Sequence, residues 1–144
     1  MRVYTIGFTR KNAEQFFTRL KQPGLLRLID ARLNNVSQLA GFTKKDDLRF
    51  FLRSLNGIDY VHRPDLAPSK EILDDYKKNG GDWATYEKQF LALMGERQIE
   101  NKVPQALIDG GCLLCSEPTP EHCHRRLVAE YLQSRWTGLE IVHL

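Results

Sequence analysis

Short runs of β-branched, aromatic and aliphatic residues alternate with longer stretches in which apolar residues recur at helical spacing. The runs predict five strands, at residues 3–6, 25–29, 58–62, 112–115 and 139–142. The second and fourth runs, LLRLI and CLLC, are apolar at nearly every position. Such runs are typical of strands that are covered on both faces of a parallel sheet.

The stretches between the runs predict helices at 12–21, from about 43 to 55, at 69–78, from 82 onward, at 96–109 and at 120–135. Ser69 and Asp82 are expected N-caps, and Thr43 with Asp46 resembles a capping box. Strands that alternate with helices indicate an α/β fold. We predict a single-domain three-layer sandwich with a mostly parallel sheet of about five strands.

A length of 144 residues fits one domain, residues 1–144. The chain is 42% hydrophobic and 27% charged, which excludes disordered and collagen-like classes. No apolar run approaches the roughly 18 residues that cross a bilayer, and the opening MRVYTIGF lacks the features of a signal peptide. We expect a cytoplasmic protein without a membrane partner; none of these features sets an oligomeric state.

Ligands of open α/β sheets bind beyond the carboxyl ends of the strands. Polar residues follow four of the five predicted strands: Thr9 and Arg10, then Asp30 and Arg32, then His62 and Arg63, then Cys115, Ser116 and Glu117. Ordinary loops are polar too, but four strand ends with acids and arginines together predict a site at this edge of the sheet.

The segment 115–126, CSEPTPEHCHRR, leads from the fourth strand into the last helix. The first two turns of that predicted helix hold four basic side chains: His122, His124, Arg125 and Arg126. Cations are unfavourable at a helix N-terminus, so a negative group should compensate for them. The candidates are the acidic side chains of Glu117, Glu121 and Asp30, or a bound anion, which helix N-termini attract.

Cys123 is expected near this helix start, where neighbouring basic groups favour a thiolate. It is a candidate nucleophile, although free cysteines are often simply buried, and that is our expectation for Cys112. Cys115, Cys123 and a flanking histidine leave a metal site open as a third hypothesis, but their spacing matches no standard zinc motif. Phosphate-binding and dinucleotide-binding glycine motifs are absent. We therefore predict no metal and no cofactor.

Several motifs resemble the family known as domain of unknown function 488. They are YTIG at residues 4–7, Asp30-x-Arg32, YVH at 60–62, LLCxE at 113–117, PEHCHR at 120–125 and EIVH at 140–143. The resemblance implies a small α/β domain with a polar cluster of Asp30, Arg32, Cys115, Glu117, Cys123, His124 and Arg125. It brings no established reaction. Members often have histidine where this chain has Phe8, so no role is carried over to that position.

Our first hypothesis is an enzyme, or a degenerate one, that acts on a small phosphorylated or nucleotide-like anion through a reactive cysteine. The anion would be bound by Arg32, Arg125 and Thr9, with Asp30 orienting an arginine. The catalytic groups would be Cys123 as nucleophile, Cys115 as a second thiol, and Glu117 with His124 as the acid–base pair.

The alternative is a non-catalytic nucleic-acid-binding module. Its basic residues would be Arg10, Lys11, Lys44, Lys45, Arg49, Arg53 and Arg63. A net charge of +3 permits an anionic partner without demanding one.

Overall fold

The computed structural model describes residues 1–36, 40–117 and 119–144. Their strands form one parallel sheet in the order β3-β2-β4-β1-β5. The strands are β1 (Arg2–Gly7), β2 (Arg27–Asp30), β3 (Asp59–His62), β4 (Gly111–Cys115) and β5 (Glu140–His143). The helices of the described residues are α1 (Ala13–Arg19), α2 (Lys45–Phe51), α3 (Lys70–Lys77), α4 (Trp83–Arg97), α5 (Ile99–Lys102), α6 (Gln105–Ile108) and α7 (His124–Arg135). Shorter helical turns cover Gly41–Thr43, Leu52–Asn56 and Pro64–Leu66.

Successive residues of each strand point to opposite faces of the sheet and contribute to two separate cores. Val3, Ile29 and Leu113 belong to the core that includes side chains of α4 and α7. Their neighbours Tyr4 and Leu28 belong to the core that includes side chains of α1 and α2. The sheet therefore lies between two helical layers, which confirms the predicted α/β sandwich and its parallel strands.

One predicted helix, at 96–109, is wrong as a continuous element. Its first two residues end α4, and Gln98 has left-handed backbone. The rest forms α5 and α6, which are separated at Val103 and Pro104, both with extended backbone. Proline lacks the N–H that a helix interior needs and disfavours helical backbone in the residue before it. Pro104 instead takes the N-cap position of α6.

The last helix begins at His124 rather than at residue 120, so the prediction of its start is wrong. Cys123 is the N-cap of α7, with extended backbone, and His122 precedes the helix. The side chain of Arg126 donates to the carbonyl oxygens of Pro120 and Glu121, at 3.2 and 3.0 Å. These carbonyls would serve as helical acceptors if the helix began at 120.

The N-caps were predicted with mixed success. The side chains of Ser69 and Asp82 accept hydrogen bonds from Ile72 and Thr85 and cap α3 and α4, as expected. The capping box at Thr43 is wrong, because the N-cap of α2 is the next residue and makes no side-chain cap. The Thr43 hydroxyl donates to the carbonyl oxygen of Ala40 at 2.8 Å.

The carboxyl ends of three neighbouring strands meet at the middle of the sheet. β4 lies between β1 and β2, with Cys115 beside Gly7 and Leu114 beside Asp30. The chain leaves β1 toward β2 on one side and leaves β4 toward β5 on the other. A reversal of this kind is where open α/β sheets bind their ligands.

Gly7, the last residue of β1, occupies a position that has no room for a side chain. A Cβ atom there would overlap the carbonyl oxygen of Glu117 and would lie 2.7 Å from Nη1 of Arg125. The glycine therefore lets the loop after β4 and the first turn of α7 cross directly over the end of β1.

We expect Gly7→Ala to lower the free energy of unfolding by about 1–3 kcal/mol, because the added methyl group forces this crossing apart. Gly41→Ala is the matched control, since a Cβ there meets open space, and its effect should stay within about 0.5 kcal/mol. Urea denaturation of both variants measures the difference. Equal stabilities would show that the crossing is loosely packed.

Candidate functional site

A cavity of about 280 Å³ opens at this edge of the sheet. Its aromatic wall is formed by Tyr76, Trp83, Tyr86 and the imidazole of His122, and Phe8 also lines it. Its polar lining includes Arg32, Lys77, Glu117, Cys115, Cys123 and His124. A concave, largely apolar surface with a few convergent polar groups is the usual form of a small-molecule site.

The aromatic wall is a stack of rings from α3, α4 and the segment before α7. The ring of Trp83 stacks on those of Tyr86 and His122, with centroid distances of 5.0 and 4.9 Å. Tyr76 packs on Tyr86 at 4.9 Å. Trp83, Tyr86 and Phe90 lie at helical spacing in the sequence, a pattern that favours a core role for all three. Tyr86 and Phe90 are buried in the core, but Trp83 is only partly buried and lines the cavity.

Asp30 and Arg32 form a buried, two-pronged ion pair at the end of β2. Arg32 donates from Nε and Nη2 to the two carboxylate oxygens of Asp30, both at 2.8 Å, and from Nη2 to the carbonyl oxygen of Thr43. The hydroxyl of Tyr60 donates to Asp30 at 2.6 Å, and burial holds the pKa of Tyr60 above its usual value. Nη1 of Arg32 is buried and has no partner among the described residues.

The cysteine–histidine group, defined as Cys115, Cys123 and His124, lies at one end of the cavity. The sulfur atoms of Cys115 and Cys123 form a disulfide bond. A ring nitrogen of His124 lies within 4.8 Å of both sulfur atoms. Nε2 of His124 lies 2.7 Å from the carbonyl oxygen of Ala31. A carbonyl only accepts, so Nε2 carries the proton and Nδ1 keeps a free lone pair. Burial lowers the pKa of His124 to about 4, so the ring is neutral at pH 7.

Arg125 lies behind this group and is completely enclosed. Its Nη1 donates to Sγ of Cys115 at 3.1 Å and to the carbonyl oxygen of Glu117 at 2.7 Å. Nε and Nη2 have no partner among the described residues. Burial lowers the pKa of Arg125 to about 10, which still leaves it charged at neutral pH. Arg125 is not among the residues that line the described cavity.

The remaining predicted residues lie at the rim or beside it. The carboxylate of Glu117 pairs with Lys77 at 2.5 Å, and both side chains line the cavity. Thr9 donates its backbone N–H to the carbonyl oxygen of Ser116 and does not line the described cavity. Arg126 is compensated by Glu130, at 3.0 Å, and not by the acids expected from the sequence.

Cys112 belongs to the core on the α1 and α2 side of the sheet, where burial raises its pKa. Of the basic residues proposed for nucleic acid, Arg63 pairs with Asp65 at 2.7 Å, and Arg49 lies 5.5 Å from the ring centroid of Tyr60. The nucleic-acid module stays a prediction. Within the described ranges, no helix has both the length and the apolar character that crossing a membrane requires.

Sequence reasoning missed Lys77, Tyr76 and the hydroxyl of Tyr60. The first two reach the cavity through the packing of α3, for which no local pattern exists. The contact of the Tyr60 hydroxyl with Asp30 could have been predicted. Tyr60 lies on β3, which pairs with β2, and Asp30 is the last residue of β2.

We expect Asp30→Asn to destabilise the protein by about 3–5 kcal/mol, because it leaves the buried Arg32 without its counter-charge. Tyr60→Phe should cost about 1.5–3 kcal/mol through one lost hydrogen bond to a charged group. Asp65→Asn breaks the more exposed pair with Arg63 and should cost at most about 1 kcal/mol. Thermal and urea unfolding rank the three variants. A small loss in Asp30→Asn would contradict the buried pair.

Comparison with family models supplies the relationship that the geometry leaves open. The model described as "Domain of unknown function DUF488" matches residues 12–132, a span that includes Asp30, Arg32 and the cysteine–histidine group. Neither the curated proteins nor the solved structures yield a match. The match covers most of the chain, and the protein belongs to the DUF488 family.

Proposed function

We propose that this protein is an enzyme whose cavity binds a planar, anionic molecule of nucleotide-like chemistry and presents it to the cysteine–histidine group. The observation that carries the proposal is that one cavity combines a stacked aromatic wall with Arg32, whose buried Nη1 donor has no partner among the described residues.

The aromatic wall suits a flat ring. Trp83 is partly exposed and packs against the core that contains Tyr86 and Phe90. Stacking of a base on an aromatic side chain contributes about 1–3 kcal/mol and tolerates any base, since every base has a π face. The wall therefore supports affinity for a planar group without choosing its identity.

Arg32 supports recognition of an anionic oxygen. Asp30 and the carbonyl of Thr43 hold its guanidinium in place, so only Nη1 is left to donate. A buried donor without a partner costs free energy that an anionic acceptor would recover. Asp30 already offsets the charge of Arg32. Arg32 therefore contributes a hydrogen-bond donor of fixed orientation rather than net positive charge.

Net positive charge comes from Arg125, which has no carboxylate partner among its contacts in the described residues. It lies directly behind Cys115 and makes that end of the cavity electropositive. Lys77 and Glu117 at the rim offset each other. An anionic group is therefore favoured near the cysteine–histidine group, and a planar group is favoured at the aromatic wall.

The two tryptophans of the chain give a direct binding test. Trp136→Phe leaves Trp83 as the sole reporter, and we expect a saturable change in its fluorescence when nucleoside monophosphates are added. The corresponding nucleosides and inorganic phosphate should each bind more weakly, because each lacks one of the two recognised features. In Trp83→Phe, the remaining Trp136 is largely buried away from the cavity and should report no change. No saturable change with any nucleotide would refute the proposal.

Substitutions of the cations separate their contributions. Arg32→Lys removes the fixed Nη1 donor and should weaken nucleotide binding by about tenfold or more. Lys77→Gln should weaken it a few-fold and reduce its salt dependence. Lys78→Gln is the matched control, because Lys78 is exposed, pairs with Asp74 and does not line the cavity. Equal effects of Lys77→Gln and Lys78→Gln would place the anion elsewhere.

A further inference from the structure

Three potential metal-ligating atoms converge at the electropositive end of the cavity. They are the sulfur atoms of Cys115 and Cys123 and a nitrogen of His124, all within 4.8 Å of one another. Both cysteines are almost completely buried, yet all three residues contribute to the cavity lining. The cluster therefore has one side enclosed by protein and one side that opens into the cavity.

The hydrogen bond of His124 prepares the ring for a metal ion. Nε2 donates to the carbonyl oxygen of Ala31, so the lone pair is on Nδ1. Metal-binding histidines almost always donate their second ring N–H to a carboxylate, a backbone carbonyl or a water, which fixes the tautomer and the orientation of the ring. The contact with Ala31 is of this kind.

The backbone around the cysteines is wide for a direct sulfur–sulfur bond. The Cα atoms of Cys115 and Cys123 are 7.3 Å apart, whereas disulfides usually span 4.4–6.8 Å. Two sulfur atoms on one tetrahedral zinc ion, each at about 2.3 Å, lie roughly 3.8 Å from each other. The Cα–Cα distance of Cys115 and Cys123 leaves room for that sulfur–sulfur separation.

Arg125 places an enclosed positive charge beside the sulfur atom of Cys115. Its guanidinium is enclosed, contacts Sγ of Cys115 and has no carboxylate among its hydrogen-bond partners. Burying a cation without an anion is costly. A thiolate on Cys115 supplies the missing negative charge, and a neutral disulfide sulfur does not.

We propose that Cys115, Cys123 and His124 bind a zinc ion whose fourth coordination position opens into the cavity. Thiolate and imidazole ligands select zinc over magnesium and calcium, which prefer oxygen. A thiol reductant first cleaves the Cys115–Cys123 disulfide into two thiols and is itself oxidised to a disulfide. Binding of Zn²⁺ then converts the two thiols into zinc-bound thiolates and releases two protons to solvent. Three protein ligands with one open position are the arrangement of catalytic zinc sites.

The fourth ligand is a water molecule or an anion. Zinc and two thiolates carry no net charge, so an anionic fourth ligand makes the centre negative by one unit, and Arg125 balances it. Cys123 then acts as a metal ligand rather than as a nucleophile. The metal site does not require the ligand proposed above, because its three atoms converge without one.

Metal content is measured on the full chain without a metal-affinity tag, expressed with added zinc and purified under a thiol reductant. We expect about one zinc ion per chain by elemental analysis. Cys115→Ser, Cys123→Ser and His124→Gln should each hold clearly less. Cys112→Ala is the matched control, because Cys112 lies in the opposite core, and it should retain the full content. Wild-type protein that is free of zinc and takes up none on titration overturns the proposal.

A second measurement does not depend on whether the variants fold. Wild-type chain loaded with Co²⁺ should show a thiolate-to-cobalt charge-transfer band and the strong visible bands of tetrahedral cobalt. Added azide should shift the visible bands, because the fourth position is open. Absence of the charge-transfer band, or a stable Cys115–Cys123 disulfide that persists under the reductant, overturns the proposal.

The nucleotide titration, repeated on zinc-loaded and chelator-treated protein, keeps the two proposals separate. Zinc binding without nucleotide binding leaves the metal site standing and removes the proposed substrate class. Nucleotide binding by a chain that takes up no zinc supports the proposed substrate class and overturns the metal site.

Discussion

The buried guanidinium of Arg125 determines how the last helix meets the sheet. It bonds both to the sulfur of Cys115, at the end of β4, and to the carbonyl of Glu117 in the following loop. That carbonyl oxygen and Nη1 of Arg125 both lie so close to β1 that Gly7 has no space for a Cβ atom. One side chain therefore positions the start of α7, and with it Cys123 and His124, over the centre of the sheet.

The cavity follows from this arrangement together with the reversal of the sheet. Because β4 lies between β1 and β2, the loops after all three strands open at the same place. The segment after β3 forms α3 and α4, whose packing together brings Tyr76 and Trp83 into contact and closes the cavity on its outer side. Most of the polar groups follow β2 and β4 or lie at the start of α7, and most of the aromatic wall comes from α3 and α4.

The sequence predicted the strand-end half of the site and missed the helical half, for a physical reason. Asp30 and Cys115 follow apolar runs, and the carboxyl ends of parallel strands meet at one edge, so their proximity follows from the strand pattern. The position of Lys77 depends on how α3 packs, which no local periodicity encodes.

The burial of Arg125 could not be predicted from the sequence either, because it depends on the absence of a side chain at Gly7, which is far from Arg125 in the chain. The break at Pro104, by contrast, follows from proline chemistry alone.

The two buried arginines have opposite electrostatic roles, although both lie beside the same cavity. Asp30 neutralises Arg32, which leaves a fixed hydrogen-bond donor with little long-range field. Among the described residues Arg125 contacts no carboxylate, and it acts mainly through its charge. A carboxylate at position 115 would cancel that charge permanently. The sulfur atom of Cys115 is bonded to that of Cys123 and is neutral, so it leaves the charge of Arg125 at this end of the cavity uncompensated.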